Sequence, residues 1–322
     1  MKNNVVTIIV TYNGASYIQK CIQSVLASDT KTEIIIVDNC STDQTCEIIY
    51  ENYPQVKLIR LNKNHGFGYA NNIGIKHAFE TEKYSYYFLL NQDTEVFKDS
   101  IGKLLKASKS NSDYWILSPI HLSENGKTDK RFEKYISSNN ELKINSNNPA
   151  DDKIYEVPFV NAAAWFVKEV CIRKIGGFDF GLFFHYGEDE NYCLRVLYNH
   201  KKIGIITNTS IIHFRSNEVT KRDEVHDLKQ VLLSAKVAMS NIMISDKQAY
   251  GLYNNHIYKV ILVFLKSIIL FKWQKTRFLF NELLNGNIFF KNRLKNSRKI
   301  NSQEGLNHLS FDLPYNDEFT PS

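Results

Sequence analysis

The stretch Tyr87-Phe88-Leu89-Leu90-Asn91-Gln92-Asp93-Thr94-Glu95 is the most informative in this chain. An apolar, strand-like run breaks abruptly into a polar cluster holding Asn91, Asp93 and Glu95. In an open α/β sheet, ligands bind in the crevice beyond the carboxyl ends of the strands. A carboxylate placed there suits a hard divalent cation, which can in turn neutralise a diphosphate. Taken alone, the segment also reads as a strand followed by an acidic turn.

On either side of it, strand-like and helix-like segments alternate. Residues 5–10 form a continuous β-branched run, as expected of a strand buried on both faces. Across 17–27, Ile18, Cys21, Ile22, Val25 and Leu26 recur at helical spacing. A second β-branched run at 33–37 stops at Asp38-Asn39-Cys40-Ser41-Thr42-Asp43. Helices are predicted at 45–52, 71–80 and 100–108, and strands at 56–61, 86–90 and 114–119. The alternation predicts an α/β fold with a mostly parallel central sheet covered on both faces. Between 123 and 152 the pattern gives way to Asn, Ser, Lys and Asp, the composition of a long surface loop. Order returns at 155–167 and 203–214. Beyond 217 long helical segments follow, at about 223–243 and 250–270, and the final residues read as weakly structured. The predicted division is a catalytic-type α/β domain over 1–217, a basic helical extension over 218–300 and a tail over 301–322.

With 322 residues, 43% apolar and 23% charged, the chain can bury a large core and does not fall in the disordered class. Its five cysteines (Cys21, Cys40, Cys46, Cys171 and Cys193) are odd in number and lack zinc spacing, which predicts reduced thiols. The apolar run at 5–10 is too short for a signal peptide. No stretch reaches the roughly 18 uncharged apolar residues of a spanning helix. The chain therefore reads as cytoplasmic, with peripheral contact to the inner face of the plasma membrane as an option.

Five blocks, in order along 5–215, resemble family 2 glycosyltransferases of the GT-A fold, in their rhamnosyltransferase-like branch. They are Thr7-Ile8-Ile9-Val10-Thr11-Tyr12-Asn13, then Ile36-Val37-Asp38-Asn39-Cys40-Ser41-Thr42-Asp43, then Asn64-His65-Gly66-Phe67-Gly68-Tyr69-Ala70-Asn71-Asn72-Ile73-Gly74. The fourth is Leu89-Leu90-Asn91-Gln92-Asp93, similar to a variant DxD motif with Asn91 at its first position. The fifth joins Gly176-Gly177-Phe178-Asp179 to Glu188-Asp189-Glu190-Asn191-Tyr192-Cys193-Leu194-Arg195.

The resemblance implies a nucleotide-diphosphate sugar donor, UDP- or dTDP-linked, and a divalent cation, Mg²⁺ or Mn²⁺. It assigns Asp38 to the ribose or base, a reading favoured over Asp38 capping the next helix through the 38–43 turn. Thr11 and Tyr12 would flank the base or simply pack at the strand end. Asn64, Gly66 and Asn71 would line the donor pocket, and Asn91 would contact ribose. Asp93 is the metal-ligand candidate, joined in related enzymes by a histidine after the final strand, here His213. Arg215 reads as a phosphate contact or as a solvated side chain. Asp189 would be the general base, with Glu188 as its neighbour. These acids also suit a helix N-terminus over 190–197, and Arg195 is expected to brace them. The expected reaction is inverting transfer to a hydroxyl of a surface glycan, a polysaccharide or a lipid-linked oligosaccharide. A catalytically silent nucleotide-sugar binding or assembly protein is the alternative. A nucleotidyltransferase is disfavoured, because Asn13-Gly14-Ala15-Ser16 carries no basic residue.

Between 256 and 299 ten cations (Lys259, Lys266, Lys272, Lys275, Arg277, Lys291, Arg293, Lys295, Arg298 and Lys299) face a single acid, Glu282. Interleaved apolar and aromatic residues make this a candidate for an anionic membrane interface. A helix packed on the catalytic domain, or a homodimer contact, fits the same pattern. No nucleic-acid motif accompanies the charge.

Overall fold

A computed structural model of the protein describes residues 4–138, 153–214, 224–284 and 288–310. Its strands are β1 (Val5–Thr11), β2 (Glu33–Asp38), β3 (Lys57–Arg60), β4 (Tyr86–Asn91), β5 (Thr94–Val96), β6 (Tyr114–Leu122), β7 (Ile154–Glu156), β8 (Ala164–Lys168) and β9 (Lys202–His213). Among the described residues they form one sheet in the order β3-β2-β1-β4-β8-β6-β9-β5, with β7 also paired to β9. β1, β2, β3, β4, β6 and β9 run one way, and β5, β7 and β8 run against them. The sheet is therefore mixed, with a parallel majority.

The continuous β-branched runs have the expected physical cause. Successive side chains of a strand point to opposite faces, and here both faces are covered. Val6 and Ile8 of β1, Ile35 and Val37 of β2, and Tyr87 and Leu89 of β4 enter one core. Val5 and Ile9, Ile34 and Ile36, and Phe88 and Leu90 enter the other. The helix Ile18–Leu26 buries Ile18, Cys21, Ile22 and Val25 in this second core. On the first face, the helix Phe67–Glu80 lies close against β1 because of Gly74. A Cβ at Gly74 would stand 2.5 Å from Ile8 Cγ2.

Several expected boundaries move. The ordered run at 155–167 is two strands with different neighbours: β7 joins β9, and β8 inserts antiparallel between β4 and β6. The stretch expected as a loop from 123 contains the helix Glu133–Ser138, anchored by the fully buried Phe132. Asp129 Oδ1 opens it by accepting the N–H groups of Arg131 and Phe132 at 2.8 and 2.9 Å. Residues 139–152 and Arg215 lie outside the described residues.

The extension consists of the helices Glu224–Ser240, Asp246–Ile269, Trp273–Leu284 and Lys291–Asn301. It packs on the α/β domain through a cluster that joins Leu182 and Phe183 to Val237, Met239, Tyr253 and Phe290. One of the ten cations, Arg298, is withdrawn from the surface. Its guanidinium donates to the carbonyls of Met239, Asn241 and Ile244 and to Asp246 Oδ1. The described part of the expected tail is anchored as well, with Leu309 buried in the main core. All five cysteines are free thiols.

Candidate active site

The carboxyl ends of β1, β2 and β4 lie side by side, with Thr11 opposite Asp38 and Val10 opposite Asn91. Side chains stitch together the loops that leave them. Gln92 turns back onto β1. Its Oε1 accepts from Thr11 Oγ1 at 2.5 Å and from the Tyr12 N–H at 3.0 Å, and its Nε2 donates to the Tyr12 carbonyl at 3.1 Å. The Asn13 N–H donates to Ser41 Oγ, and Asn13 Oδ1 accepts the Thr42 N–H, both at 2.9 Å. Asn39 bridges toward β3, donating to Asn64 Oδ1 and accepting the His65 N–H, again at 2.9 Å.

Among the residues expected on the donor side, Tyr12 is 44% exposed, and Asn64 and Asn91 are half-buried. These three present surface at the strand ends. Thr11, Asp38 and Asn71 are buried instead. The Thr11 hydroxyl is committed to Gln92. Asp38 accepts the Ser41 N–H at 3.1 Å and lies 3.8 Å from Arg60 Nε, so it holds its own turn, while the next helix, Thr45–Asn52, starts after Gln44 without a side-chain cap. Asn71 Nδ2 donates to the Phe67 carbonyl within its helix at 3.1 Å. Its neighbour Asn72 makes the long-range contacts: Oδ1 accepts the Phe178 N–H at 2.7 Å, and Nδ2 donates to the carbonyls of Phe178 and His308. Gly66, also buried, has φ 87, and a Cβ there would stand 2.1 Å from the Phe184 carbonyl oxygen. Only glycine lets this loop touch the segment leading to Glu188.

β4 turns sharply into β5 because Thr94 Oγ1 donates to the Asn91 carbonyl at 2.7 Å. β5 then pairs with the end of β9, Thr94 facing His213, and the Phe214 N–H donates to the Asp93 carbonyl at 2.8 Å. As a result His213 Nε2 stands 3.4 Å from Asp93 Oδ1, with His213 4% and Asp93 27% exposed. Glu95 points away along β5, opposite Ile212. Among the described residues no group of three or more His, Cys, Asp and Glu side chains forms a metal cage. One carboxylate and one imidazole suit a cation that draws its other oxygens from a diphosphate and water, as hard ions do. They do not make a closed structural site.

The helix Glu188–Tyr198 presents Glu188, Asp189 and Glu190 in its first turn, where the helix dipole favours acids. Glu188 is 4% exposed, and its Oε2 has no hydrogen-bond partner. Burial, reinforced by the charge of Asp189, pushes its carboxyl up to about 8. Burial also raises Asp189, against the opposing pull of the Glu190 and Ala162 N–H groups. The Glu190 N–H donates to Asp189 Oδ1 at 2.8 Å. Next to Ala162, the Ala163 carbonyl accepts the Asn91 N–H at the end of β4 at 2.9 Å. The segment leading into β8 thereby runs along the end of β4.

Arg195 does not brace the acids as expected. It is buried and donates to the carbonyls of Ile175 and Gly177 at 2.9 and 2.6 Å, with the Tyr192 ring against its guanidinium. Asp179 accepts from Ser297 Oγ at 2.5 Å and Asn301 Nδ2 at 2.9 Å, tying the extension to the segment before Glu188. Gln92, Asn39, Asn72, Asp179 and the Ala162-Ala163 pair were absent from the sequence-based candidates. Gln92, Asn39, Asn72 and Asp179 lay inside quoted motifs, but their partners are remote in the chain.

A model of "Glycosyl transferase family 2" matches residues 6–171, just over half of the chain. The chain belongs to this family. The match is to the family as a whole rather than to any branch of it. A glycosyltransferase from Bacillus subtilis strain 168, the SPbeta prophage-derived SunS, is 34% identical over 101 residues, 31% of this chain and 22% of SunS. The Staphylococcus aureus poly(ribitol-phosphate) beta-N-acetylglucosaminyltransferase TarS is 38% identical over 77 residues, 22% of this chain and 13% of TarS. The matched segments thus span less than a quarter of either relative. Two solved structures share the fold. GalNAc-T7 with UDP, GalNAc and Mn²⁺ has a TM-score of 0.55 at 15% identity, covering 71% of this chain and 48% of that one. A fragment of S. aureus TarS in complex with UDP-GlcNAc has a TM-score of 0.51 at 15% identity, covering 77% and 70%. These likenesses establish a GT-A glycosyltransferase fold with added C-terminal helices.

Proposed function

We propose that this protein is an inverting, metal-dependent hexosyltransferase. It would move a sugar from a UDP- or dTDP-linked donor to a hydroxyl of a surface-glycan acceptor, either a polysaccharide or a lipid-linked oligosaccharide. The observation that carries the reading is the approach of His213 Nε2 to Asp93 Oδ1, 3.4 Å apart, at the turn that leaves β4. It pairs an imidazole with a carboxylate at the strand end. Tyr12, Asn64 and Asn91 are the surface on which the nucleoside end of a donor would rest, with Thr11, Asp38, Gly66 and Asn71 as its buried support. Asp93 and His213 would hold Mg²⁺ or Mn²⁺, whose charge, when bound, offsets that of the departing diphosphate.

The reaction is a single displacement. The acceptor oxygen forms its bond to the anomeric carbon as the carbon–diphosphate bond breaks, and that bond's electron pair leaves with the diphosphate. Asp189 takes the acceptor's hydroxyl proton. Two adjacent carboxyls rarely both ionise in a partly dry site. With Glu188 shifted up to about 8, it keeps its proton near neutrality and adds no charge beside Asp189. The UDP and UDP-GlcNAc seen with neighbours of the same fold, and the poly(ribitol-phosphate) in the name of TarS, support the donor and acceptor classes.

Nucleotide release from UDP- and dTDP-sugars, with Mn²⁺ and a polysaccharide or lipid-linked acceptor, tests the proposal. Asp189→Asn should lower turnover by about 10² to 10⁴ and leave nucleotide affinity unchanged. Full turnover in that variant would remove Asp189 as the base.

A further inference from the structure

The helix Asp246–Ile269 leaves one face without a protein partner among the described residues. Tyr258, Ile261, Leu262, Leu265, Ile268 and Ile269 are between 40% and 73% exposed. Their spacing of three and four residues places them on a single stripe. The stripe runs into a corner where Leu270, Phe271 and Trp273 are 51%, 73% and 63% exposed. Phe271 ends the helix at φ 52, a left-handed conformation that usually falls to glycine or asparagine at this position. Holding a phenylalanine there costs free energy, and its ring buries little within the protein. An uninterrupted apolar surface of this kind marks an interaction site.

The charge around the stripe identifies its occupant. From Lys247 to Asn281 there is no acidic residue, while the exposed Lys259 and Lys266 flank the stripe on its own helix. Of the acids that bracket this stretch, Asp246 is bound to Arg298 and Glu282 acts on Lys236. A second copy of the chain docking through this face would bring like charges together. An anionic bilayer accepts the apolar stripe into its interface and neutralises the flanking cations, with Trp273 at the depth that tryptophan favours. No described helix is long and apolar enough to cross a membrane.

We propose that the face formed by Tyr258, Ile261, Leu262, Leu265, Ile269, Phe271 and Trp273 docks the protein on an anionic lipid surface. The inference stands apart from the transfer reaction and does not depend on it.

The protein supplies its own probe. Of three tryptophans, Trp115 and Trp165 are 6% and 0% exposed, so a change in emission on adding vesicles reports Trp273. With vesicles of phosphatidylcholine plus phosphatidylglycerol, the emission should shift to the blue and the protein should sediment with the lipid. Phosphatidylcholine alone, or high salt, should abolish both effects. The double substitution Phe271→Ser/Trp273→Ser should lose co-sedimentation while keeping the wild-type melting curve. Lys259→Gln/Lys266→Gln should weaken binding by about fivefold for each cation removed. Absence of binding to either vesicle, or binding indifferent to lipid charge, overturns the proposal. A dimer that forms without lipid and disappears in the Phe271→Ser/Trp273→Ser protein would assign the face to a second copy instead.

Discussion

Glu188→Gln offers a quantitative probe of how charge is arranged at the site. The wild-type carboxyl moves from an ordinary 4.5 to about 8 on folding, because it is buried and faces Asp189. At about 1.4 kcal/mol per tenfold change in proton affinity, this amounts to roughly 5 kcal/mol. The sign follows from proton counting. Between 4.5 and about 8 the folded protein keeps a proton that the unfolded chain has released. The contribution of Glu188 is therefore fully present below 4.5, declines as pH rises, and levels off above about 8. Glutamine does not titrate, so any packing or hydrogen-bond penalty it brings is the same at every pH. Urea unfolding of both proteins at a series of pH values should show the variant gaining several kcal/mol on the wild type between about pH 5 and about pH 9. A difference that stays constant with pH would mean that Glu188 is ionised in the folded protein at neutral pH, and its neutrality beside Asp189 would be refuted.

Two further substitutions probe the framework. Asn72→Ala removes three hydrogen bonds linking the helix Phe67–Glu80 to Phe178 and His308. It should cost about 2–4 kcal/mol in thermal or urea unfolding, and a loss below about 0.5 kcal/mol would show that the contacts are incidental. Gly66→Ala places a methyl group against the Phe184 carbonyl at a left-handed φ. A loss of about 2 kcal/mol or more is expected, with faster amide exchange around Phe184, whereas wild-type stability and exchange would refute the close approach.

What the sequence revealed and what it hid divide along the range of the interactions. The runs at 5–10, 33–37 and 86–90 were legible because a strand buried on both faces is apolar at nearly every position. The polar break at Asn91 was legible because burial ends there. β5 has only three residues and exists because β9 supplies its ladder, so no local pattern announces it. β8 was merged with β7, since both are short and apolar and their separate partners lie elsewhere in the chain. Asp93 and His213 were nominated by motif, and their approach required β5 and β9 to pair. Thr11, Asp38 and Asn71 were legible as polar groups at the right strand or helix ends, but their burial depends on Gln92, Ser41 and Phe67 taking up their polar atoms. Arg195 misled because a cation near acids suggests an ion pair, whereas the fold offered it two backbone carbonyls. The packed segment up to Ser310 was hidden by its polar composition, because Ser297, Asn301 and His308 serve a single buried carboxylate, Asp179.

The most direct test of the donor site is a calorimetric titration of UDP, dTDP and GDP, with and without Mn²⁺, on the wild type, Asp93→Ala and His213→Ala. The expected result is tight binding of UDP or dTDP that requires Mn²⁺ and collapses in Asp93→Ala, with His213→Ala weakened. Nucleotide binding indifferent to both the metal and Asp93, or no binding at all, would contradict a nucleotide-sugar site at this edge of the sheet.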